Sequence, residues 1–150
     1  MHMRTVFVLA FLALFSVALR AQDVSVYSVK NGKGDVIMVS ADTINLGEIY
    51  LDDLSSEHGV LYINLTNSGN KPLLIRNVTG CCGTNIKTWP KAPVLPGKQS
   101  EIRVEFRIEP KPQRINRTVT IKSNALGRSI AKLHIIGLVM QQRQANELIL

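Results

Sequence analysis

The chain has 150 residues, a formal net charge of +7, 45% hydrophobic residues and only two cysteines. That length suits one domain with a core of its own and leaves little room for a second. Two cysteines are too few for a disulfide-stapled scaffold, and the positive charge does not read as nucleic-acid binding in a chain that opens like an export signal.

The first residues, MHMRTVFVLAFLALFSVALRAQ, place Arg4 before an apolar run from Val6 to Leu19 that only Ser16 interrupts. A short basic start and a run of this length predict a secretory signal over residues 1–21, since a bilayer span needs about 20 apolar residues. Cleavage is expected after Ala21, with Ala18 as the alternative because Leu19 fits the small-residue rule poorly. The segment has no cysteine, so a lipoprotein is not expected, and nothing later in the chain is apolar for long enough to span a membrane. The expected mature chain is acidic early and basic late: Gln22 to Val60 holds two lysines and seven acids, whereas Leu61 onward holds 14 basic and four acidic residues.

From Asp23 onward the chain reads as strands and turns. Val24, Val26 and Val29 mark a first short strand, ended by Gly32-Lys33-Gly34, and Asp35 to Val39 is a short apolar segment. Thr43 to Tyr50 places Ile44 and Leu46 on one side, with Gly47 suited to a bend or bulge. LDDLSSEH (51–58) is polar enough for a loop or one helical turn. In VLYINLTN (60–67), Leu61, Ile63 and Leu65 alternate with Tyr62, Asn64 and Thr66, the signature of a half-buried strand. Asn67 to Pro72 has the composition of a turn, and Leu73 to Val78 reads as a strand that ends at the cysteines. Pro90, Pro93 and Pro96-Gly97 exclude regular structure until Lys98.

SEIRVEFRI (100–108) has the cleanest pattern, with Ile102, Val104, Phe106 and Ile108 facing one way and Glu101, Arg103, Glu105 and Arg107 the other. A helix would spread these round its circumference, whereas a strand puts every apolar one on the core. After Pro110-Lys111-Pro112, Arg117 to Ser123 carries Val119 and Ile121 inward, and Asn124 to Gly127 turns. Ser129 to Met140 is the most apolar strand, with Leu133, Ile135 and Val139 on one face and Ile136 and Leu138 on the other. Residues 22–140 are therefore expected to form one all-β domain, a β-sandwich of seven to eight antiparallel strands, with a closed barrel as the second architecture. Residues 141–150 read as a polar-then-apolar tail.

Several segments, in order, resemble a family of small exported bacterial proteins, common in Bacteroidetes, that carries a domain of unknown function. They are NLGEI (45–49), YINLTNSGNKPLLIRNV (62–78), CCGT (81–84), WPKAPVLPGKQSEIRVEF (89–106), IKSNA (121–125) and LHIIGLV (133–139). That family is similar to the immunoglobulin-like sandwiches of the major-sperm-protein and ASPM/SPD-2/Hydin type. The resemblance, from about Asp42 to Met140, implies an immunoglobulin-like sandwich and no catalytic activity. The family pattern has Cys-Gly-Cys-Thr after the central strand. Here Cys81 and Thr84 match it, but Cys82 stands at the glycine and Gly83 at the second cysteine.

Cys81 and Cys82 are the reactive-looking pair. Adjacent Cα atoms lie about 3.8 Å apart, below the disulfide range of about 4.4–6.8 Å, so a bridge between neighbours needs a strained eight-membered ring. Small structural thiols, a redox or intermolecular pairing and a metal or haem site all compete here. A tetrahedral metal site would need two more ligands, and His58 and His134 lie in unrelated segments. No cofactor and no metal are expected. Ser55 and Ser56, with Asp52, Asp53 and His58 nearby, hold the residue types of a hydrolytic triad, but such a run reads first as a solvated loop. Asn64, Asn77 and Asn116 begin glycosylation tripeptides that are expected to be unused. Trp89 reads as a cover for one end of the sandwich or as a partner anchor. Arg103 and Arg107 share an outer strand face, with Arg117 and Lys122 expected on a neighbouring strand.

These readings predict a non-enzymatic periplasmic or secreted module that binds a protein or glycan of the cell envelope in an adhesion, scaffold or assembly role. One version has a sandwich edge accept a partner strand. A thiol-dependent redox or sensor protein centred on Cys81 and Cys82 is the alternative, followed by an enzyme of unrecognised type.

Overall fold

A computed structural model of the chain describes residues 24–141. The expected signal (1–21) and all but the first residue of the expected tail (141–150) lie outside the described residues. The described chain folds into β1 (Val24–Asn31), β2 (Val36–Ser40), β3 (Thr43–Tyr50), a one-turn 3₁₀ helix (Ser56–Gly59), β4 (Val60–Asn67), β5 (Ile75–Gly80), β6 (Thr84–Thr88), β7 (Gln99–Phe106), β8 (Gln113–Ser123) and β9 (Ile130–Met140). The strands hydrogen-bond in the order β5-β8-β9-β3-β2-β1-β4-β7-β6.

That ribbon folds over at β2. Val36 and Ile37 pair with Lys30 and Val29 of β1, whereas Met38 to Ser40 pair with β3. The result is two five-stranded sheets in a sandwich-like arrangement that share β2 along one side. At the other side lie the two ends of the ribbon, β5 and β6, which pack against each other.

Two expectations need correction. Nine strands are present among the described residues instead of seven or eight, because Thr84–Thr88 forms β6. That strand takes its partner from β7 and offers little alternation of its own. The strands are also not all antiparallel, since β3 and β9 run parallel, from Thr43 beside His134 to Tyr50 beside Met140. No hairpin fixes their relative direction, because β3 leaves for the other sheet and β9 returns beside it only after six intervening strands or turns of chain.

The alternation in the sequence sets the core. Leu61, Ile63 and Leu65 of β4 face Ile102 and Val104 of β7 on the inner surface, and all are fully or almost fully buried. Ile44, Val119, Ile121, Ile135 and Val139 cover them from the second sheet. Each such side chain contributes about 1.5–3 kcal/mol through burial. Gly47 has a positive φ where the β3–β9 register shifts, so the expected bulge is present. Ile108 lies just beyond β7 and is only partly buried against the core.

Asn67 continues the inward phase of β4 and is fully buried, although it opens the polar turn. Its Nδ2 donates to the carbonyls of Lys71 and Val94, each at 2.8 Å, and its Oδ1 accepts the Gly69 N–H at 3.0 Å. One side chain thus holds together the loops after β4 and before β7.

Candidate functional site

Two surfaces carry the residues singled out by the sequence. The first is a groove of about 650 Å³ at one end of the molecule, between the 3₁₀ turn and the outgoing end of β7. Leu54, Phe106, Ile108 and Pro110 give it apolar surface, and Arg103, Arg107, Glu57 and Glu105 give it charge of both signs. Arg103 Nη2 lies 2.7 Å from Oε1 of Glu105, whose other oxygen is 3.0 Å from Lys87 of β6. The Lys87 ammonium, with help from Arg103, holds the Glu105 carboxyl below its usual range. The Arg103 guanidinium also lies 5.6 Å from the ring centroid of Tyr62, and its Nε is buried with no hydrogen-bond partner. Arg107 pairs with Glu109 at 3.1 Å and stands out in solvent.

The structure therefore brings Arg103 and Arg107 to one groove, but it does not add Trp89. That tryptophan is outside the groove lining, packs partly against the core, and carries the Lys91 ammonium 3.0 Å from its ring centroid. Arg117 is not beside β7 either: β7 pairs with β4 and β6, and β8 belongs to the second sheet. Arg117 shares the inward phase of Ile115 and Val119, and its guanidinium lies 6.0 Å from the Phe106 ring.

The serine–histidine run forms a cap. His58 Nδ1 accepts the Ser55 N–H at 3.1 Å and lies 3.2 Å from Ser55 Oγ, closing the start of the 3₁₀ turn as the third residue of a capping box does.

The second surface is the cysteine turn between β5 and β6. Cys82 and Gly83 have φ values of 59° and 80°, and the Thr84 N–H donates to the Cys81 carbonyl at 3.0 Å, the pattern of a type I′ turn. A residue with a side chain pays about 1–2 kcal/mol in this left-handed region. Cys82→Gly is accordingly expected to stabilise the protein by about 1 kcal/mol, read as a higher urea midpoint with an unchanged slope.

Both thiols are exposed and unbridged, and their sulfurs lie 2.7 Å apart. Cys81 is anchored through its N–H to the Thr118 carbonyl at 2.9 Å. Hydrogen bonding from Cys82 holds the Cys81 thiol below its ordinary pKa, with lesser contributions from Thr118 and Arg117. The same contact pushes the Cys82 thiol up. Thr118 in turn pairs with His134 of β9, its Oγ1 lying 3.4 Å from the imidazole Nδ1. Thr118 of β8 therefore stands between the cysteine turn and His134, which the sequence separates widely. Among the described residues, no group of three or more histidine, cysteine or acidic side chains is placed to hold a metal ion. Nor is any helix there long and apolar enough to cross a membrane.

Residues 37–139 match a family model described as "Protein of unknown function (DUF1573)". No curated protein gives a significant match. Among solved structures, a protein of unknown function from Porphyromonas gingivalis W83 is similar at 16% identity and a TM-score of 0.54, over 86% of this chain and 51% of that one. The chain thus spans about half the length of that relative. The secreted serine protease VesC from Vibrio cholerae aligns at 12% identity and a TM-score of 0.49, over 63% of this chain and 21% of that one. The YadV chaperone aligns at 13% identity and 0.43, over 71% and 52%. At these identities the first likeness speaks for the fold alone, and the other two carry no argument.

Proposed function

The chain belongs to the family of proteins of unknown function DUF1573, and from that premise we propose that it is an exported, non-enzymatic module of the cell envelope that binds a protein or glycan partner. The groove is the observation that carries this reading. It joins apolar surface to two arginines and two glutamates at one end of the sandwich, a mixture suited to recognising a partner through shape and a few directed polar contacts. In this reading the fold is an immunoglobulin-like sandwich, delivered to the periplasm or the medium by the N-terminal signal and carrying no lipid. Strand addition, if used, is confined to β5 and β6, because β2 closes the opposite side.

The test is a photo-crosslinking residue placed at Arg107 in the full chain, expressed in its own cells. The expected result is a discrete adduct that disappears when Arg103→Glu is added, while the same crosslinker at Lys132 yields none. Adducts at both positions, or at neither, would overturn the groove as the binding surface.

A further inference from the structure

We propose that Cys81 and Cys82 form a thiol–disulfide exchange site, in which Cys81 attacks a disulfide of an envelope partner and Cys82 resolves the product. Four observations place this chemistry on the turn. The two sulfurs are in contact and both side chains are open to solvent. The turn puts Cys82 in the backbone conformation that side chains disfavour, where glycine would serve the fold better. Cys81 is held against Thr118 by its own N–H, and Thr118 hands on to His134 in the next strand. Finally, Arg117 adds a positive charge that favours a thiolate at both sulfurs.

The different anchoring of the two thiols suggests their order. Cys81 is the thiol fixed to β8, with its N–H on the Thr118 carbonyl, whereas Cys82 sits at the strained tip of the turn; the contact with Cys82 also lowers the Cys81 thiol, so the first attack is given to Cys81. Its sulfur attacks one sulfur of the partner's disulfide. The partner S–S bond breaks, a mixed disulfide forms and one partner thiolate leaves. Cys82, deprotonated to solvent, then attacks the Cys81 sulfur and expels the second partner thiolate. Two electrons pass from the cysteine pair to the partner disulfide, and the pair closes into an eight-membered ring. Adjacent cysteines are too close for an unstrained bridge, so this ring reopens readily against a dithiol, and the site also runs in reverse as a disulfide donor.

The place of the turn fits a macromolecular partner. Thr84, which follows it directly, pairs with Phe106 at the groove, and Asn85 is itself part of the groove lining. The thiol chemistry does not require the groove, and a small disulfide probes it separately from partner binding.

The experiment treats the purified full chain with dithiobis(nitrobenzoate) and follows released thiol and intact mass. Wild type is expected to release both reagent thiolates and to retain no adduct. Cys82→Ser should release one and keep the other as a stable adduct, and Cys81→Ser should react several-fold more slowly. Thr118→Val should move the pH midpoint of Cys81 alkylation upward, a shift that loss of packing alone would not cause. Two stable adducts on wild type, or equal rates for the two serine variants, would overturn the proposal.

Discussion

Replacing Asn67 with alanine is expected to cost the fold about 2–4 kcal/mol, read as a fall in the urea midpoint with little change in slope. The side chain is fully buried and all its polar atoms are used. Its own N–H donates to Lys98 O at 3.0 Å, and its carbonyl accepts the Gly97 N–H at 2.8 Å. Truncation leaves the Lys71 carbonyl and the Gly69 N–H without this partner and removes one of two donors to the Val94 carbonyl, which keeps the Leu73 N–H. Asn124 offers the comparison. It also bridges two loops, donating to Pro72 O at 3.2 Å and accepting from Leu74 N at 2.8 Å, but at an exposed site. Water can replace those bonds, so Asn124→Ala is expected to cost about 1 kcal/mol or less. Equal losses at the two positions would show that burial is not what makes Asn67 costly to remove.

Gly59→Ala is expected to be at least as damaging, with a loss of about 3 kcal/mol or more. A Cβ at this position would meet the Phe106 carbonyl oxygen at 2.0 Å, and that obstacle is backbone. Neither side can yield easily. Gly59 is the last residue of the 3₁₀ turn that feeds β4, and Val60 beside it pairs with Glu105 in the middle of the first sheet. The variant should unfold at markedly lower urea or fail to accumulate as soluble protein. Gly127→Ala, where an added Cβ would meet nothing within 4 Å, should leave the midpoint almost unmoved.

Several elements could be read directly from the sequence because one surface dominates their environment. In β4 and β7 apolar residues alternate with mostly polar ones over Leu61–Leu65 and Ile102–Phe106, and the structure buries the apolar set and leaves the residues between them half-buried. The same logic, extended one position, would have placed Asn67 inside, but its turn-forming company masked the phase. In β8 the alternation of Ile115, Arg117 and Val119 points the arginine inward, against the usual habit of its charge. What could not be read was anything fixed by register between distant segments. β6 is short and borrows its strand character from β7. The row from Cys81 through Thr118 to His134 exists because three strands align at one height. The groove is likewise assembled from segments separated by two or three strands, so no local motif announces it.

The parallel contact between β3 and β9 has a kinetic consequence. Residue 43 lies beside residue 134, so the second sheet cannot close until the chain has been made through β9. Contacts this distant in sequence must meet the entropy of a long loop before they gain anything, which places such folds toward the slow, millisecond-to-second end of the range. A chain threaded through a membrane from its N-terminus would therefore emerge with its first strands still waiting for their last partner. In such a chain the second sheet would wait for β9, the last of the described strands, and native structure there would be deferred until that strand had crossed.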